Sequence, residues 1–390
     1  MKKNQVKLNM EMKKYKLGDI ADINKQTLSK KDSMDVIEYL DTGSLTENIF
    51  GPKQVLSRKE APSRAQRRVF DKTILYSTVR PRLKHYGFLE SPKENTIVST
   101  GFATIDVKDE FKNVIDARYL YLLLIQDKVT EYLGTIADTA VSAYPSLNPS
   151  DIQSLEFEFP DMPIQKKVAS FLCNIDKRIE NLRAQNRILE QTAKTIYDYT
   201  FLQCADHQTT YNKTLNRNIP ANWEVKKLGD LLTIKNGKDH KHLKDGPFAV
   251  YGSGGLMRKV DSFLYDGESV LIPRKGTLNN VMYVDEKFWT VDTMFYSVMN
   301  KPYYGKYIYY SVRDIDFMAR NSGTGVPSMT SGYLNTISIM LPDSQTLETF
   351  NNQVTPLFKK VQLNTKQIET LTTQRNTLLP LLMTGQVEVC

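Results

Sequence analysis

The sequence predicts an α+β chain built from two tandem copies of one unit, each a mixed domain followed by a long helix. Two observations predict it: short motifs recur in the same order in both halves, and two segments carry a sustained helical seam. Of the 390 residues, 41% are hydrophobic, which is ordinary for globular proteins. Both copies can therefore form their own cores.

The first observation is the set of motifs that occur twice. KLGDIADI at 16–23 returns as KLGDLLTI at 227–234, and YLY at 119–121 returns as YIY at 307–309. Pro-Ser-Leu at 145–147 precedes Pro-Asp at 160–161 by the same distance that separates Pro-Ser-Met at 327–329 from Pro-Asp at 342–343. The motifs share their order but not all of their spacing. We therefore expect a duplicated unit whose second copy is shorter in its variable part.

The second observation is a strict alternation of four-residue and three-residue steps between positions that are mostly apolar. In the first half it comprises Val168, Leu172, Ile175, Ile179, Leu182, Asn186, Leu189, Ala193 and Ile196. In the second half it comprises Phe350, Val354, Leu357, Val361, Asn364, Ile368, Leu371, Arg375, Leu378 and Leu382. A sustained 3.5-residue repeat is typical of a coiled-coil seam. Pro356 lies either near the start of its helix or at a kink.

Each seam contains one asparagine, Asn186 and Asn364, and a buried asparagine usually fixes coiled-coil register. If the helices run antiparallel with these two opposite each other, every seam residue faces a seam residue. The resulting pairs are Leu182 with Ile368, Ile179 with Leu371, Leu189 with Val361, Ala193 with Leu357, and Ile196 with Val354. The sequence thus predicts an antiparallel intramolecular coiled coil that holds two recognition domains at opposite ends of a rod. The alternative is that both asparagines are solvated at loose edges of the seam.

Four domains follow from these boundaries. A first recognition domain covers residues 1–160, a first spacer helix 161–204, a second recognition domain 205–343, and a second spacer helix with a C-terminal tail 344–390. Alternating runs at 72–76, 96–98, 155–159 and 269–272 predict strands, and apolar faces at 117–133 and 306–318 predict helices.

Basic residues cluster in the loops of both recognition domains, and the formal net charge is +8. Such clusters are suited to phosphates, and arginine is also suited to guanine edges. The alternative for any one cluster is a solvated charged surface. Comparable clusters in two copies favour nucleic-acid binding. The candidate DNA-binding residues are Arg64, Arg67, Arg80, Arg82, Lys84, Lys238, His240, Ser253, Arg274, Lys275, Asn279 and Arg320.

The sequence gives no catalytic residues. It has no phosphate-binding loop of the GxxxxGK[ST] type and no Asn/Asp-Pro-Pro-aromatic methylation motif. Glu110-Phe111-Lys112 fits the end of a nuclease motif but has no convincing aspartate upstream. Three scattered cysteines give no metal site and fit a reducing cytoplasm, and we expect no signal peptide or membrane span. A DNA reader without catalytic machinery implies that the chemistry belongs to partner chains.

The chain resembles the specificity subunits of type I restriction-modification enzymes over nearly its whole length. The resemblance is carried by FAVYGSGG at 248–255, YDG at 265–267, IPRKG at 272–276, WTVDT at 289–293 and LLPLLMTGQV at 378–387. IPANWEVKKLGD at 219–230 is similar to the family's domain start, and STGF at 99–102 resembles a recurrent family motif.

The resemblance implies a split DNA target with a fixed, unread spacer. It also implies two adenine methyltransferase subunits and two ATP-driven translocase-nuclease subunits, with the methyltransferases docked on the outer faces of residues 163–203 and 344–384. No cofactor is expected in this chain. S-adenosylmethionine, ATP and magnesium are expected in the partners. The alternatives are a stand-alone tandem DNA-binding regulator, which would need no methyltransferase, and a nuclease, which would cleave DNA with magnesium alone.

We predict that cysteines introduced at Asn186 and Asn364 cross-link readily under mild oxidation, because the proposed register places these positions opposite each other. The measurement is the mobility of the oxidised chain on a denaturing gel. A cross-link that forms instead in a register one heptad away contradicts the prediction.

Overall fold

The structure is a computed structural model that describes residues 11–29, 32–139, 145–204, 208–320 and 327–389. The chain divides into two compact units. Unit 1 comprises residues 1–181 and 367–390, and unit 2 comprises residues 182–366. The two long helices each contribute one segment to each unit. The predicted domain boundaries, which keep each helix separate, stay a prediction.

Unit 1 is an α+β structure. Its strands are β1 Lys13–Lys16, β2 Ala21–Ile23, β3 Val36–Leu40, β4 Leu45–Thr46, β5 Ile49–Phe50, β6 Gln54–Ser57, β7 Ala65–Arg68, β8 Ile74–Ser77, β9 Tyr86–Phe88, β10 Thr96–Ser99, β11 Phe102–Val107 and β12 Glu156–Phe159. Its helices are α1 Leu17–Ile20, α2 Ala117–Leu124, α3 Asp127–Asp138, α4 Pro149–Gln153 and the first part of α5 Met162–Tyr197.

The strands of unit 1 form two four-stranded sheets, in the orders β2-β11-β8-β9 and β6-β3-β10-β7, and two two-stranded ones, β1-β12 and β4-β5. The largest core lies between the first of these sheets and the helices, with Tyr119, Leu120 and Leu133 fully or almost fully buried. Antiparallel pairing of β1 with β12 brings the start of the unit beside its end.

Unit 2 is a shorter version of the same arrangement. Its strands are β13 Thr209–Asn212, β14 Arg217–Pro220, β15 Glu224–Lys227, β16 Leu232–Asn236, β17 Asp245–Gly252, β18 Gly255–Val260, β19 Tyr265–Pro273, β20 Met282–Thr290, β21 Met294–Met299 and β22 Ser338–Leu341. Its helices are α6 Leu228–Leu231, α7 Tyr304–Arg313, α8 Ser331–Thr336 and the first part of α9 Ser344–Met383, with a π-helical segment, Asp198–Gln203, after α5.

Six strands of unit 2 form one sheet in the order β16-β21-β19-β20-β17-β18, and β15 pairs with β22 as β1 pairs with β12. Unit 1 thus has a second four-stranded sheet, β6-β3-β10-β7, whereas unit 2 has a single six-stranded sheet. The two copies therefore differ in how their strands are divided among sheets.

The duplication extends to individual hydrogen bonds. Leu17 N donates to Leu155 O at 2.7 Å, and in the second copy Leu228 N donates to Ile337 O at 2.7 Å. The short helix that follows packs closely in both copies. A Cβ atom on Gly18 would lie 3.2 Å from Gln153, and one on Gly229 would lie 3.0 Å from Asn335. The repeated KLGD motif therefore marks a contact that leaves little room for a side chain.

The long helices contact each other within each unit. In unit 2, the Nδ2 atom of Asn364 donates to Oδ1 of Asn186 at 2.9 Å, and Tyr197 packs against Phe350 with ring centroids 6.1 Å apart. In unit 1, Nε of Arg375 donates to Oδ1 of Asp176 at 3.2 Å. The asparagine contact is the one from which the predicted register was built. Register along the whole of both helices stays a prediction.

Helix α9 excludes one of the two alternatives for Pro356, a position near the start of the helix. Pro356 lies in its interior, so the helix continues through a residue that lacks a backbone N–H. The helix ends where Gly385 adopts a φ of +66°, a backbone conformation that favours glycine.

The helix predicted over 117–133 is two helices, α2 and α3, and the expectation of one helix was wrong. The break falls at Gln126, whose backbone is extended and whose side chain is buried. Apolar periodicity continues across the break because both helices pack on the same core. The helix predicted over 306–318 is α7, which ends at Arg313.

A buried ion pair links α7, the sheet and α9 in unit 2. Nζ of Lys306, whose side chain is 8% exposed, lies 3.0 Å from Oε1 of Glu268 and 3.2 Å from Oδ1 of Asn351. Tyr283 Oη donates to the same Glu268 oxygen at 2.6 Å, and burial raises the pKa of Tyr283 above its ordinary value. Arg118 on α2, which precedes the first YLY motif as Lys306 precedes YIY, pairs with Glu90, a more exposed acid from another part of the sheet.

We predict that Lys306→Ala destabilises unit 2 by about 3–5 kcal/mol, because it leaves the largely buried carboxylate of Glu268 without a cation, with the hydrogen bond from Tyr283 remaining. Both tryptophans of the chain, Trp223 and Trp289, lie in unit 2. Their fluorescence during denaturant unfolding therefore measures the loss.

The matched control is Arg118→Ala in unit 1. It should lower the free energy of unfolding, followed by circular dichroism, by about 1 kcal/mol or less, since its partner Glu90 is in contact with solvent. Equal losses for the two variants would contradict the prediction.

Candidate nucleic-acid interface

One edge of the unit 2 sheet is built from loops that carry most of the site residues predicted in unit 2. Lys238 N donates to Thr290 O at 2.9 Å, and the indole of Trp289 donates to Lys238 O at 2.9 Å. Val291 N donates to Tyr251 O at 3.1 Å. These bonds tie the loop after β16 to the end of β20, and the end of β20 to the end of β17.

The loop after β19 completes this edge. Arg274 N donates to Thr293 O at 2.8 Å, and Asn280 Nδ2 donates to Ser253 O at 2.8 Å. Ser253 lies in the turn between β17 and β18. The loops that contain Lys238, Ser253, Arg274 and Lys275 therefore meet at one place, defined here as the unit 2 edge.

The unit 2 edge is mainly cationic. Lys238, Arg274 and Lys275 are exposed, and no carboxylate in the described part of the chain forms a salt bridge with them. Two exposed acids lie nearby in the chain, Asp239 in the loop after β16 and Asp292 in the turn after β20. Three cations in loops that meet can neutralise phosphates, and Arg274 can also form two hydrogen bonds to a guanine.

The remaining predicted residues of unit 2 are placed differently. Asn279 is exposed, and its side chain donates to Oδ1 of Asp316 at 3.1 Å and accepts from Met318 N at 3.1 Å. Nδ1 of His240 is buried and has no hydrogen-bond partner among the described residues. The side chain of Arg320 lies outside the described residues.

Unit 1 has an edge at the corresponding place. Thr78 N donates to Gly101 O at 2.9 Å, Thr100 N donates to Arg64 O at 2.8 Å, and Arg80 N donates to Pro145 O at 2.9 Å. Arg64 and Arg80 are both exposed. The loops that carry these two arginines therefore meet at what is defined here as the unit 1 edge.

The same hydrogen bonds build the loop after the central strand in both units. Leu147 N donates to Thr78 O at 2.8 Å, and Met329 N donates to Arg274 O at 2.9 Å. Arg80 N donates to Pro145 O, and Gly276 N donates to Pro327 O at 3.2 Å. Thr78 thus corresponds to Arg274, and Arg80 corresponds to Gly276. The repeated Pro-Ser motifs are the segments that hold this loop.

Three predicted residues of unit 1 have other partners. Arg67 is half-buried, its Nη1 lies 3.3 Å from Oγ1 of Thr27, and burial lowers the pKa of its guanidinium. Arg82 is paired with Glu131 and Asp138, whose hydrogen bonds raise its pKa, and Lys84 is paired with Asp127. As DNA contacts these residues stay predictions, but the structure directs Arg82 and Lys84 toward acids of α3.

Sequence reasoning missed the residues that shape these loops. Asn280 anchors Ser253, and Gly276 adopts a φ of +86°, where a Cβ would also require the Ser253 hydroxyl, 2.8 Å away, to move. The glycine that directly follows Arg274-Lys275 was the available signal for a constrained turn.

Two tandem α+β units, each with a basic sheet edge, define a class of nucleic-acid-binding protein, and comparison with known proteins identifies its family. The family profile described as type I restriction modification DNA specificity domain matches residues 9–191 and again residues 220–373. The chain therefore belongs to the family of type I restriction-modification DNA specificity domains, and it serves sequence-specific DNA recognition.

Relatives cover the whole length of the chain. The specificity subunit of the MjaIX type I restriction enzyme of Methanocaldococcus jannaschii is 27% identical to this chain. The match covers 97% of this chain and 89% of that subunit. The HindI specificity subunit of Haemophilus influenzae is 21% identical, and the match covers 97% of this chain and 100% of that subunit. The crystal structure of a type I S subunit from M. genitalium has a TM-score of 0.62 and 18% identity, and the match covers 100% of this chain and 99% of that one. The similarity to this crystal structure shows that the two chains share a fold.

Membership of this family supports the expectation that the chain is not itself an enzyme. Lys112, the last residue of the possible nuclease motif, is paired with Asp109 at 2.6 Å. Over the described ranges, no helix is long and apolar enough to cross a membrane, and no three acidic, histidine or cysteine side chains group as they would around a metal ion.

We predict that Gly276→Ala destabilises the loop after β19 by about 1–2 kcal/mol, because its φ of +86° is unfavourable for a residue with a Cβ. DNA affinity should fall with it, as measured by fluorescence anisotropy. Gly254→Ala is the control. Its Cβ would meet nothing within 4 Å, so a change within about 0.5 kcal/mol is expected. Equal effects of the two substitutions would count against the loop geometry.

Proposed function

We propose that this chain reads a bipartite DNA target with a fixed, unread spacer and directs partner methyltransferase and translocase-nuclease subunits to it. The observation that carries the proposal is the presence of two exposed basic edges built by the same hydrogen bonds in both units. Duplicated readers are suited to a target in two parts, one part for each copy.

Base reading at the unit 2 edge is assigned to Arg274, with Lys275 and Lys238 as phosphate contacts. An arginine can donate two hydrogen bonds to O6 and N7 of guanine, whereas a lysine ammonium acts as a point charge. At the unit 1 edge the same roles fall to Arg80 and Arg64. Phosphate contacts supply affinity and orientation, and base contacts supply sequence preference.

The spacer between the two target parts is assigned to the long helices. We propose that α5 and α9 pair as an antiparallel intramolecular coiled coil. Within unit 2, support comes from the bond between Asn186 and Asn364 and from the full burial of Asn364. Within unit 1, support comes from the pairing of Asp176 with Arg375. A rigid helical spacer would fix the number of unread base pairs.

Partner docking is assigned to the outer faces of the helices, over 163–203 and 344–384. Large apolar side chains remain exposed there in unit 2, namely Ile188, Tyr199 and Leu363 at 67%, 55% and 59% exposure. Two methyltransferase and two translocase-nuclease subunits would provide the chemistry, with S-adenosylmethionine, ATP and magnesium bound by those partners. Such a complex would act on DNA in the cytoplasm.

The target is found first, by mapping methylated adenines genome-wide in a strain that carries the system. Binding of the chain, assembled with its methyltransferase, is then measured on that target and on single-base variants at several salt concentrations.

We predict that Arg274→Ala reduces the free energy of DNA binding by about 1–3 kcal/mol and relaxes the preference at one base position. Lys275→Ala should weaken binding to all sequences alike and reduce the salt slope by about one.

Lys301→Ala is the matched control, because Lys301 is exposed and follows β21 at the end away from the unit 2 edge. It should leave base preference unchanged. If Arg274→Ala weakens all sequences equally, Arg274 is a phosphate contact. Tight binding without co-purifying methyltransferase would favour a stand-alone regulator, and cleavage by the purified chain with magnesium would favour a nuclease.

A further inference from the structure

The loop after β8 in unit 1 has an unusual backbone for its sequence. Arg80 and Lys84 both have positive φ values, +49° and +56°, on either side of the short helical turn Pro81–Leu83. The left-handed region disfavours residues that carry a Cβ. In unit 2 the position that corresponds to Arg80 is Gly276, which adopts its φ of +86° without that penalty. The backbone bonds to the Pro-Ser segment are common to both copies, so the left-handed residues of unit 1 need an interaction beyond them.

That interaction is a clamp on one face of α3. Nε of Arg82 lies 2.9 Å from Oε2 of Glu131, its Nη1 lies 2.6 Å from Oδ2 of Asp138, and its Nη2 lies 3.5 Å from Oγ1 of Thr135. These three partners are four and three residues apart along the helix, so they share a face. Lys84 adds a second attachment, 2.8 Å from Oδ1 of Asp127.

A glycine in the middle of α3 makes room for the guanidinium. A Cβ atom on Gly134 would lie 2.7 Å from Cζ, 2.8 Å from Nε and 2.9 Å from Cγ of Arg82. Glycine inside a helix is less favourable than alanine. The close approach of Arg82 gives this glycine a physical reason and shows that the side chain lies flat against the helix.

The charges around the clamp make Arg82 a poor phosphate ligand. Arg82 and Lys84 face four carboxylates within salt-bridge distance, those of Glu47, Asp127, Glu131 and Asp138. If Arg82 swung out to a phosphate, it would leave two carboxylates of α3 unpaired beside the DNA backbone. Repulsion between these like charges would oppose that movement.

We propose that Arg82 is a positioning residue, held on α3 by Glu131, Asp138 and the space over Gly134, that keeps the loop 78–84 in the conformation presenting Arg80 at the unit 1 edge. The inference rests on the proposed function, since it specifies how one base-reading loop is held. It replaces the expectation that Arg82 itself contacts DNA.

The test is a double-mutant cycle in the full chain assembled with its methyltransferase. Arg82→Met and Gly134→Ala are each expected to reduce discrimination at the bases read by unit 1 by roughly tenfold, with the bases read by unit 2 unaffected. The double variant is expected to be no worse than Arg82→Met alone, because Gly134 matters only while Arg82 occupies the helix face. The salt slope of Arg82→Met should equal that of the unsubstituted chain, since no phosphate contact is lost.

A second variant keeps the shape of the clamp and removes its charges. Glu131→Gln with Asp138→Asn deletes two negative charges near DNA, so electrostatic attraction alone predicts tighter binding. The clamp predicts reduced discrimination at the unit 1 bases whatever happens to the overall affinity. Discrimination that stays intact in this variant would overturn the proposal, even if Arg82→Met failed to fold.

Two further outcomes would also overturn it. A salt slope lowered by about one in Arg82→Met would make Arg82 a phosphate contact, and additive losses in the double variant would remove the role of Gly134. Arg80→Ala and Arg274→Ala test the proposed function separately. If both leave DNA binding unchanged, the proposed function fails. If both weaken binding while the clamp variants do not, the positioning role alone fails.

Discussion

A backbone pairing between two distant segments organises both candidate edges. In unit 1 the segment 145–147 bonds to Thr78 and Arg80, and in unit 2 the segment 327–329 bonds to Arg274 and Gly276. The loop after the central strand is thereby fixed between the sheet and the start of the next short helix. Because backbone bonds do not depend on side-chain identity, the residues of this loop can differ between the copies while its path is kept. Recognition chemistry can thus vary on a constant support.

The two copies reach the same backbone by different means. Unit 2 places a glycine in the left-handed position, so its neighbours Arg274 and Lys275 remain without salt-bridge partners among the described residues. Unit 1 places Arg80 there and uses Arg82 and Lys84, with acids of α3, to hold the loop. Arg82 and Lys84 thus pair with carboxylates of their own unit, whereas Arg274 and Lys275 have no salt bridge among the described residues. The two units therefore differ in how much of the positive charge near this loop is paired within the fold.

The parts of the fold that could be predicted are those that depend on local periodicity or on repetition. The α+β class, the tandem units and the two long helices follow from the apolar spacing and from the echoed motifs. The break at Gln126 could not be predicted, because apolar periodicity runs across it. The partners of Arg82 could not either, since they lie on a helix about fifty residues further along the chain. Side-chain pairing of that kind is a property of the tertiary fold.

The pairing of the first and last strands has a consequence for how the sequence can change. In each copy, β1 with β12 and β15 with β22 bring together the two ends of the segment that holds the main sheets. Everything between them is a loop closed at a fixed base, and the entropic cost of lengthening a closed loop grows only with the logarithm of its length. Insertions, deletions or a wholly new reader can therefore be accepted between the two strands while the helices that follow keep their starting points. The fold separates the part that must stay constant from the part that is free to diversify.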